Sequence, residues 1–430
     1  MTTKNNIPVG YKDSAVGIIP QEWEVKPFKN LGTFLRTNTL SREHMNNMEG
    51  LALNIHYGDV LVRYGEILDC SKTAIPWVNN SCRETRLGDR LQNGDIVISD
   101  TAEDYTVGKA TEVCNVGNNC VLSGLHTMAF RPPKETFALR YLGYYFNSPA
   151  YRAQLYSLIQ GIKVCSISKS AISNTYIPVP PMEEQRKIAE ILDVWDEAIE
   201  KQSRLIEKLE LRKRALMQRL LTGRTRLPGF TTPWQKVKLD EICKRVTRRN
   251  EENNQNVMTI SAQKGFVSQT DFFNKSVASS TLDNYYLVLK DEFCYNKSYS
   301  NGYPMGAIKR LKEADKAVVT TLYICFSIAD SKRLDINFFE QFCESGGLNR
   351  GLMKVANEGG RAHGLLNVTP TDFFSLVMLL PTLPEQKAIA EVLTAADDEI
   401  ATHRKKLDAL RLQKRGLMQQ LLTGKTRVKI

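Results

Sequence analysis

With 430 residues, 42% of them hydrophobic and 24% charged, the chain has the composition of about two to four folded domains, not of a disordered or fibrous protein. Its 58 Lys and Arg against 47 Asp and Glu leave a net charge of +11, which suits an anionic partner without identifying one. No apolar run approaches the ~18 residues that span a bilayer, the start Met-Thr-Thr-Lys-Asn-Asn lacks the core of a signal peptide, and nine cysteines without a C-x-x-C pair argue against a disulfide framework or a zinc ribbon.

The expectation is therefore a soluble, reduced, cytoplasmic protein with no membrane partner. The charge is spread over the chain. Residues 1–180 and 181–226 each carry a net +2, residues 227–380 carry +3, and residues 381–430 carry +4. With no basic tail, any nucleic-acid surface has to be a folded face.

In chain order, Trp23 with Val25, Phe28 and Leu31 opens the first globular stretch. Gly94-Asp95-Ile96-Val97-Ile98-Ser99 predicts a turn followed by a strand, and Leu139 to Phe146 predicts an amphipathic helix. Pro180-Pro181 then precedes a first long helix. A second globular stretch begins around Trp234 with Val237, Leu239 and Ile242. Within it, Val318 to Phe326 predicts one buried strand and Asn337 to Phe342 a helix. Pro384 marks a second long helix. The mixture predicts an α+β fold in β-rich domains with helices.

The chain repeats itself. The stretch from Glu184 to Arg226 aligns without a gap on that from Glu385 to Arg427, with about half the positions identical. Glutamates in the first turn and the closing Thr222-Gly223 and Thr423-Gly424 suit helix ends. Apolar residues alternate at four and three. The first seam is Ile188, Leu192, Trp195, Ile199, Ile206, Leu209, Leu216 and Leu220; the second is Ile389, Leu393, Ala396, Ile400, Leu407, Leu410, Leu417 and Leu421. That spacing predicts a coiled coil.

Each seam is interrupted at the same two steps, Gln202 and Lys213 in one and His403 and Lys414 in the other. These polar positions either fix register and partner or lie where the seam faces solvent or another subunit. A pairing of the two helices within the chain is expected. The two-copy architecture favours the antiparallel form, although periodicity does not exclude a parallel one, which would put both globular parts at one end. The expected parts are globular domains at 1–180 and 227–380 and helical regions at 181–226 and 381–430, related by a pseudo-two-fold.

No catalytic constellation emerges. Gly424-Lys425-Thr426 resembles the end of a phosphate loop, but Gln419 stands where its first glycine belongs, and the segment closes a helix instead of opening one. His44, His56, His126, His363 and His403 are not at metal-ligand spacing with cysteines or carboxylates. Neither a G-x-S-x-G elbow nor a G-x-G-x-x-G turn is present, and the Pro-Pro pairs at 132–133 and 180–181 lack the flanking residues of a base-gripping methyltransferase motif. The loops at 295–303, 358–364 and 160–163 are rich in Tyr, Asn, Ser, Gly and Lys. Such residues suit base edges and phosphates, or else an ordinary polar surface.

The order of parts resembles the specificity subunits of type I restriction–modification systems. The resemblance rests on Tyr11-Lys12-Asp13-Ser14 with Ile19-Pro20-Gln21-Glu22-Trp23, and on Ile177 to Pro181 before Glu184-Gln185. Leu380-Pro381 with Pro384-Glu385-Gln386, the two Leu-Leu-Thr-Gly helix ends and Leu227-Pro228-Gly229-Phe230 complete it. Two departures are mild: the second helix lacks a Pro-Pro pair, and Ala396 stands where the first has Trp195.

The resemblance implies two target-recognition domains that read the halves of a split double-stranded DNA target, with an antiparallel coiled coil setting the spacer. It implies no catalytic residue, metal or cofactor on this chain. Two modification subunits would methylate adenine with S-adenosylmethionine, and restriction subunits would act with ATP and Mg²⁺. Candidate DNA contacts are Arg63, Lys72, Arg83, Arg86, Lys109, Lys163, Arg248, Lys264, Lys297, Tyr299, Asn301, Arg361 and His363. The seam residues, Ala396 apart, are the candidate coiled-coil and subunit interface.

Overall fold

The computed structural model describes residues 7–82, 87–269, 282–358 and 366–429. The chain divides into two compact units: unit 1 is Met1–Ser203 with Lys406–Ile430, and unit 2 is Arg204–Lys405. Both boundaries fall inside the long helices, which span Met182–Leu220 and Leu383–Leu421. Each helix has 39 residues, about 58 Å at ~1.5 Å per residue. The second starts one residue before Pro384, which therefore occupies the first turn, where its missing N–H is no loss.

In unit 1 a five-stranded sheet runs in the order Thr33–Leu35, Thr127–Arg131, Ile96–Ser99, Ala110–Cys114, Ile67–Asp69. All its pairs are antiparallel except the last, which is parallel. Strand alternation divides its side chains between two cores. Ile96, Ile98, Met128 and Phe130 enter one, while Val97, Val113 and Ala129 enter the other. The expected turn before Ile96 is present, with Gly94 at φ +88°. The helix predicted from Leu139 spans Tyr141–Asn147 and buries Tyr141, Leu142, Tyr144, Tyr145 and Phe146 in the first core. A smaller four-stranded sheet runs Val121–Ser123, Leu53–Ile55, Trp77–Val78, Met45–Asn46.

The Tyr141–Asn147 helix is tied to the sheet by a carboxylate no sequence pattern singles out. Glu112, almost wholly buried, accepts the backbone N–H of Arg140 at 2.5 Å and of Gly143 at 2.8 Å. Burial pushes its carboxyl up from the ordinary 4.5 to about 7. The folded state thus holds this proton more tightly than the unfolded chain, so this contribution is full below pH 4.5 and is lost as pH rises through about 7. Unit 1 is expected to lose up to about 3 kcal/mol over that window. Urea titrations at pH 5 and pH 8 check this, with Glu112→Gln expected to flatten the difference.

In unit 2 the main sheet runs Cys243–Val246, Ile324–Ile328, Phe293–Asn296, Ala307–Arg310, antiparallel throughout. Phe293, Tyr295, Ile324 and Phe326 pack under the helix Ile336–Glu344 with its Phe338, Phe339 and Phe342. Cys294, Cys325 and Val246 face a second core with Val288, Ala317 and Val319.

The single strand expected over Val318–Phe326 is two strands, Lys316–Val319 and Ile324–Ile328. The first pairs with Tyr286–Leu289, the second with the main sheet. Between them Thr320 accepts back from Tyr323 N–H and Leu322 is 60% exposed. An apolar run cannot reveal a change of partner sheet.

The Glu-Gln pair that begins each helical repeat has a clear task. In unit 1, Glu184 is fully buried and accepts from Trp23 Nε1 at 2.9 Å and from Arg427 Nε and Nη2 at 2.7 and 2.9 Å. Gln185 accepts Ala138 N–H at 2.9 Å and donates to Pro180 and Thr136 carbonyls. In unit 2, Glu385 accepts from Trp234 Nε1 at 3.1 Å and from Arg226 Nε and Nη2 at 2.5 and 2.7 Å. Gln386 accepts Asp335 N–H at 2.8 Å and donates to Pro381 and Arg333 carbonyls. In both units an arginine that follows one long helix closes on the glutamate that begins the other.

Those arginines are aimed by the helix ends. Gly223 and Gly424 both take φ +68°, turning the chain back over its last turn. At Gly424 a side chain would also collide with Pro20, and the glycine carbonyl accepts Tyr11 Oη at 2.9 Å.

Within each unit the two helix segments run antiparallel. In unit 2, Glu210 pairs with Arg404, Arg212 with Glu399 and Lys213 with Asp397. In unit 1, Asp196 pairs with Lys414 and Glu184 with Arg427. Every seam residue is buried or half-buried. Trp195, Ile199, Leu216, Leu410 and Leu417 are the half-buried ones. Of the four interruptions, Lys213 and Lys414 meet an aspartate of the adjoining helix, and Gln202 is buried.

Candidate nucleic-acid interface

In unit 2 the hairpin Met258–Ser261 and Gly265–Ser268 turns through Ala262, Gln263 and Lys264, which puts Lys264 at an exposed tip. The loop that leaves the strand Phe293–Asn296 passes beside it. Gln263 Nε2 donates to Asn301 carbonyl at 3.1 Å, and Tyr299 is 63% exposed. Between loop and hairpin lies a cleft of about 340 Å³ lined by Thr259, Gln263, Asn296, Ser298, Ser300 and Tyr323 among others.

Its polar groups are held from behind. Asn296 Nδ2 donates to Ile260 carbonyl at 3.1 Å, Tyr323 Oη accepts Ile260 N–H at 3.3 Å, and Tyr323 shares a hydrogen bond with Thr259 Oγ1 at 3.0 Å. Lys297 is half-buried, and desolvation pulls its pKa below the ordinary lysine value. Four of the candidates, Lys264, Lys297, Tyr299 and Asn301, are thus gathered on one hairpin and one loop. Arg248 is committed elsewhere, donating to Glu292 at 3.1 Å and to Leu287 carbonyl at 3.1 Å. Arg361 and His363 lie outside the described residues.

In unit 1 the candidates are less concentrated. Arg63 donates to Asp59 at 3.1 Å and to Ala74 carbonyl at 3.2 Å, and keeps about half its side chain exposed. Lys72 is exposed, 3.6 Å from Asp69, and Lys163 projects from a loop whose neighbours Ile162 and Val164 are also exposed. Lys109 turns inward: its Nζ donates to the Leu61 and Tyr64 carbonyls at 2.9 and 3.0 Å. There it caps the helix Tyr57–Val62, and burial lowers its pKa. Arg83 and Arg86 lie outside the described residues.

Around that helix the candidate Arg63 has neighbours that the sequence does not single out as DNA contacts. His126 stands at φ +53°, with Nδ1 3.4 Å from Asp100 and its ring edge-on to Tyr57 at 5.3 Å. Arg42 and Arg63 share the buried carboxylate of Asp59 at 2.8 and 3.1 Å. A non-glycine residue in the left-handed region is uncommon and marks this loop. The available signal in the sequence is the Ser-Gly-Leu-His run at 123–126, where a glycine two residues before a histidine suits a turn. Arginines, an aromatic ring and a histidine on one partly exposed patch can contact phosphates and bases. Among the described residues no helix is long and apolar enough to cross a membrane.

Residues 20–211 match the type I restriction modification DNA specificity domain. Over that segment the chain is similar to type I specificity domains. Similarity to such subunits runs well beyond it. The MjaX type I restriction enzyme specificity subunit of Methanocaldococcus jannaschii is 26% identical, over 97% of this chain and 97% of its own. A chain solved in work on assembly and conformational transition of a type I restriction–modification system has a TM-score of 0.57 at 16% identity, covering 95% of this chain and 99% of that one. The specificity subunit of M. genitalium gives 0.50 at 14% identity over 100% and 99%. These two structures establish a shared mixed α/β fold, and the specificity-domain match agrees with the resemblance carried by the Pro…Glu-Gln helix starts.

Proposed function

We propose that the chain is the non-catalytic recognition subunit of a type I restriction–modification complex that reads a bipartite DNA target. Residues 1–180 and 227–380 each read one half-site. Residues 181–226 and 381–430 form an antiparallel coiled coil that sets the spacer and relates the two recognition domains by a pseudo-two-fold. Two modification subunits methylate adenine at the sites so chosen, and restriction subunits cleave unmethylated DNA. S-adenosylmethionine, ATP and Mg²⁺ belong to those partners.

The observation that carries this reading is the duplicated latch. Trp23–Glu184–Arg427 and Trp234–Glu385–Arg226 are the same three residue types joined by the same hydrogen bonds. Each ties a globular part to the start of one long helix and the end of the other, as two copies on antiparallel helices require. Two half-sites one DNA turn apart are roughly 34–36 Å from centre to centre, a distance that 39-residue helices can accommodate.

Exchanging residues 227–380 for the corresponding part of a relative is the test. Methylated adenines mapped in cells that carry the whole complex should change in one half-site, with the other half-site and the spacer retained. A change in both halves would overturn the assignment of one domain to one half-site.

A further inference from the structure

Unit 2 carries a cavity of about 970 Å³ beside the strand Val377–Leu380, distinct from the cleft at Lys264 and Tyr299. Its floor is apolar, with Met217, Leu221, Phe342 and Leu376. Its walls bear Arg214, Lys236, Arg350 and Lys354, all exposed and none paired with a described residue. The one carboxylate there, Glu344, is already bound by Lys309 and by Tyr303 Oη. Four uncompensated cations over an apolar floor favour a ligand that is both acidic and apolar.

The strand itself decides what kind. Among the described residues it pairs only with Gln235–Lys238. Leu376 carbonyl accepts Leu239 N–H, so by antiparallel parity the backbone groups of Val377 and Leu379 point away from that neighbour, and both residues line the cavity. Neither residue has another backbone or side-chain hydrogen bond among the described residues, and they are 54% and 43% exposed.

The corresponding edge of unit 1 is closed. Gln154 takes both groups of Tyr176, accepting its N–H at 2.9 Å and donating to its carbonyl at 3.0 Å. Pro178 has no N–H, and its carbonyl accepts Tyr141 Oη at 3.4 Å.

We infer that unit 2 takes an acidic, extended segment of a partner protein as an added strand along Val377–Leu380. Its alternate apolar side chains fill the floor, and its carboxylates meet Arg214, Lys236, Arg350 and Lys354. A DNA duplex would use the cations but neither the apolar floor nor the open edge. Because the edge of unit 1 is closed, one chain takes one such segment.

The experiment is fluorescence anisotropy of the full chain with a labelled decapeptide that alternates glutamate and valine. Controls are the same peptide with lysine for glutamate, one with its alternate amides N-methylated, and an unlabelled DNA duplex as competitor. The acidic peptide should bind; the lysine and N-methylated peptides should not.

Charge reversal at Arg350→Glu with Lys354→Glu should weaken binding at least about tenfold. Leu379→Pro, which copies the closed edge of unit 1, should weaken it about fivefold or more. Both changes are on an exposed surface, and sequence-specific DNA binding measured in parallel should be unchanged, which separates this inference from the DNA-reading role. No binding by the acidic peptide, equal binding by the N-methylated one, unchanged affinity in either variant, or displacement by duplex DNA would overturn it.

Discussion

Replacing Glu184 by alanine is expected to cost unit 1 about 3–5 kcal/mol, the scale of breaking a buried ion pair from one side. The carboxylate is fully buried and serves three donors at once: the indole N–H of Trp23 and two guanidinium N–H groups of Arg427. Trp23 is itself 0% exposed, so its N–H would be left dry and unsatisfied. Arg427 would fare better, because it also reaches Glu22 at 2.9 Å and keeps about a third of its side chain exposed. The carboxylate also lies in the first turn of the Met182–Leu220 helix, where negative charge is favoured.

Glu184→Gln keeps the shape and one acceptor while removing the charge, and should cost roughly half as much. Urea unfolding of unit 1 measures both, and a loss below about 1 kcal/mol for alanine would mean that water restores the latch.

Lys414→Met is expected to cost about 2–4 kcal/mol, and far more than Lys213→Met at the matching step. Lys414 Nζ lies 2.5 Å from Asp196, 3.0 Å from Glu66 and 5.1 Å from the centre of the Tyr144 ring, with only 6% of the side chain exposed. Methionine keeps the apolar stem but leaves two carboxylates facing each other without their cation. Lys213 has the single carboxylate Asp397 at 2.6 Å, and that partner is 43% exposed and also accepts from Gln341. Water can replace the lysine there, so about 1 kcal/mol is expected.

The pH dependence gives a second check. Burial already raises the Asp196 carboxyl, against the pull of Lys414. Removing the lysine raises it further, so the folded variant gains affinity for a proton. Its deficit should therefore shrink as pH falls toward the carboxylate range.

Both residues show where reading by pattern stops. The heptad spacing placed Lys414 and Lys213 at seam positions, but not what they meet, because Glu66 approaches from a distant loop and Asp196 from the other helix. The Glu-Gln pairs were legible as helix starts and as family marks. Their partners, Arg427 at 243 residues and Arg226 at 159, follow glycine turns whose direction no periodicity specifies.

Among the DNA-contact candidates, net charge and residue type were equally blind to surroundings. Lys109 and Lys264 look alike in sequence, yet one caps a helix from inside and the other stands at a hairpin tip.

What the sequence determined by itself was everything set by local period and by duplication: the two long helices, their glycine ends, the buried seams, the aromatic helix after Leu139 and the α+β class. These follow from interactions within a few residues or from similarity along the chain, so one dimension suffices. What only the tertiary structure decided was which strand changes sheet after Val319, which carboxylate each buried lysine finds, and which sheet edge stays open. Those outcomes depend on groups far apart in sequence meeting where water is excluded, and there the cost of an unsatisfied charge or N–H, more than any local preference, selects the partner.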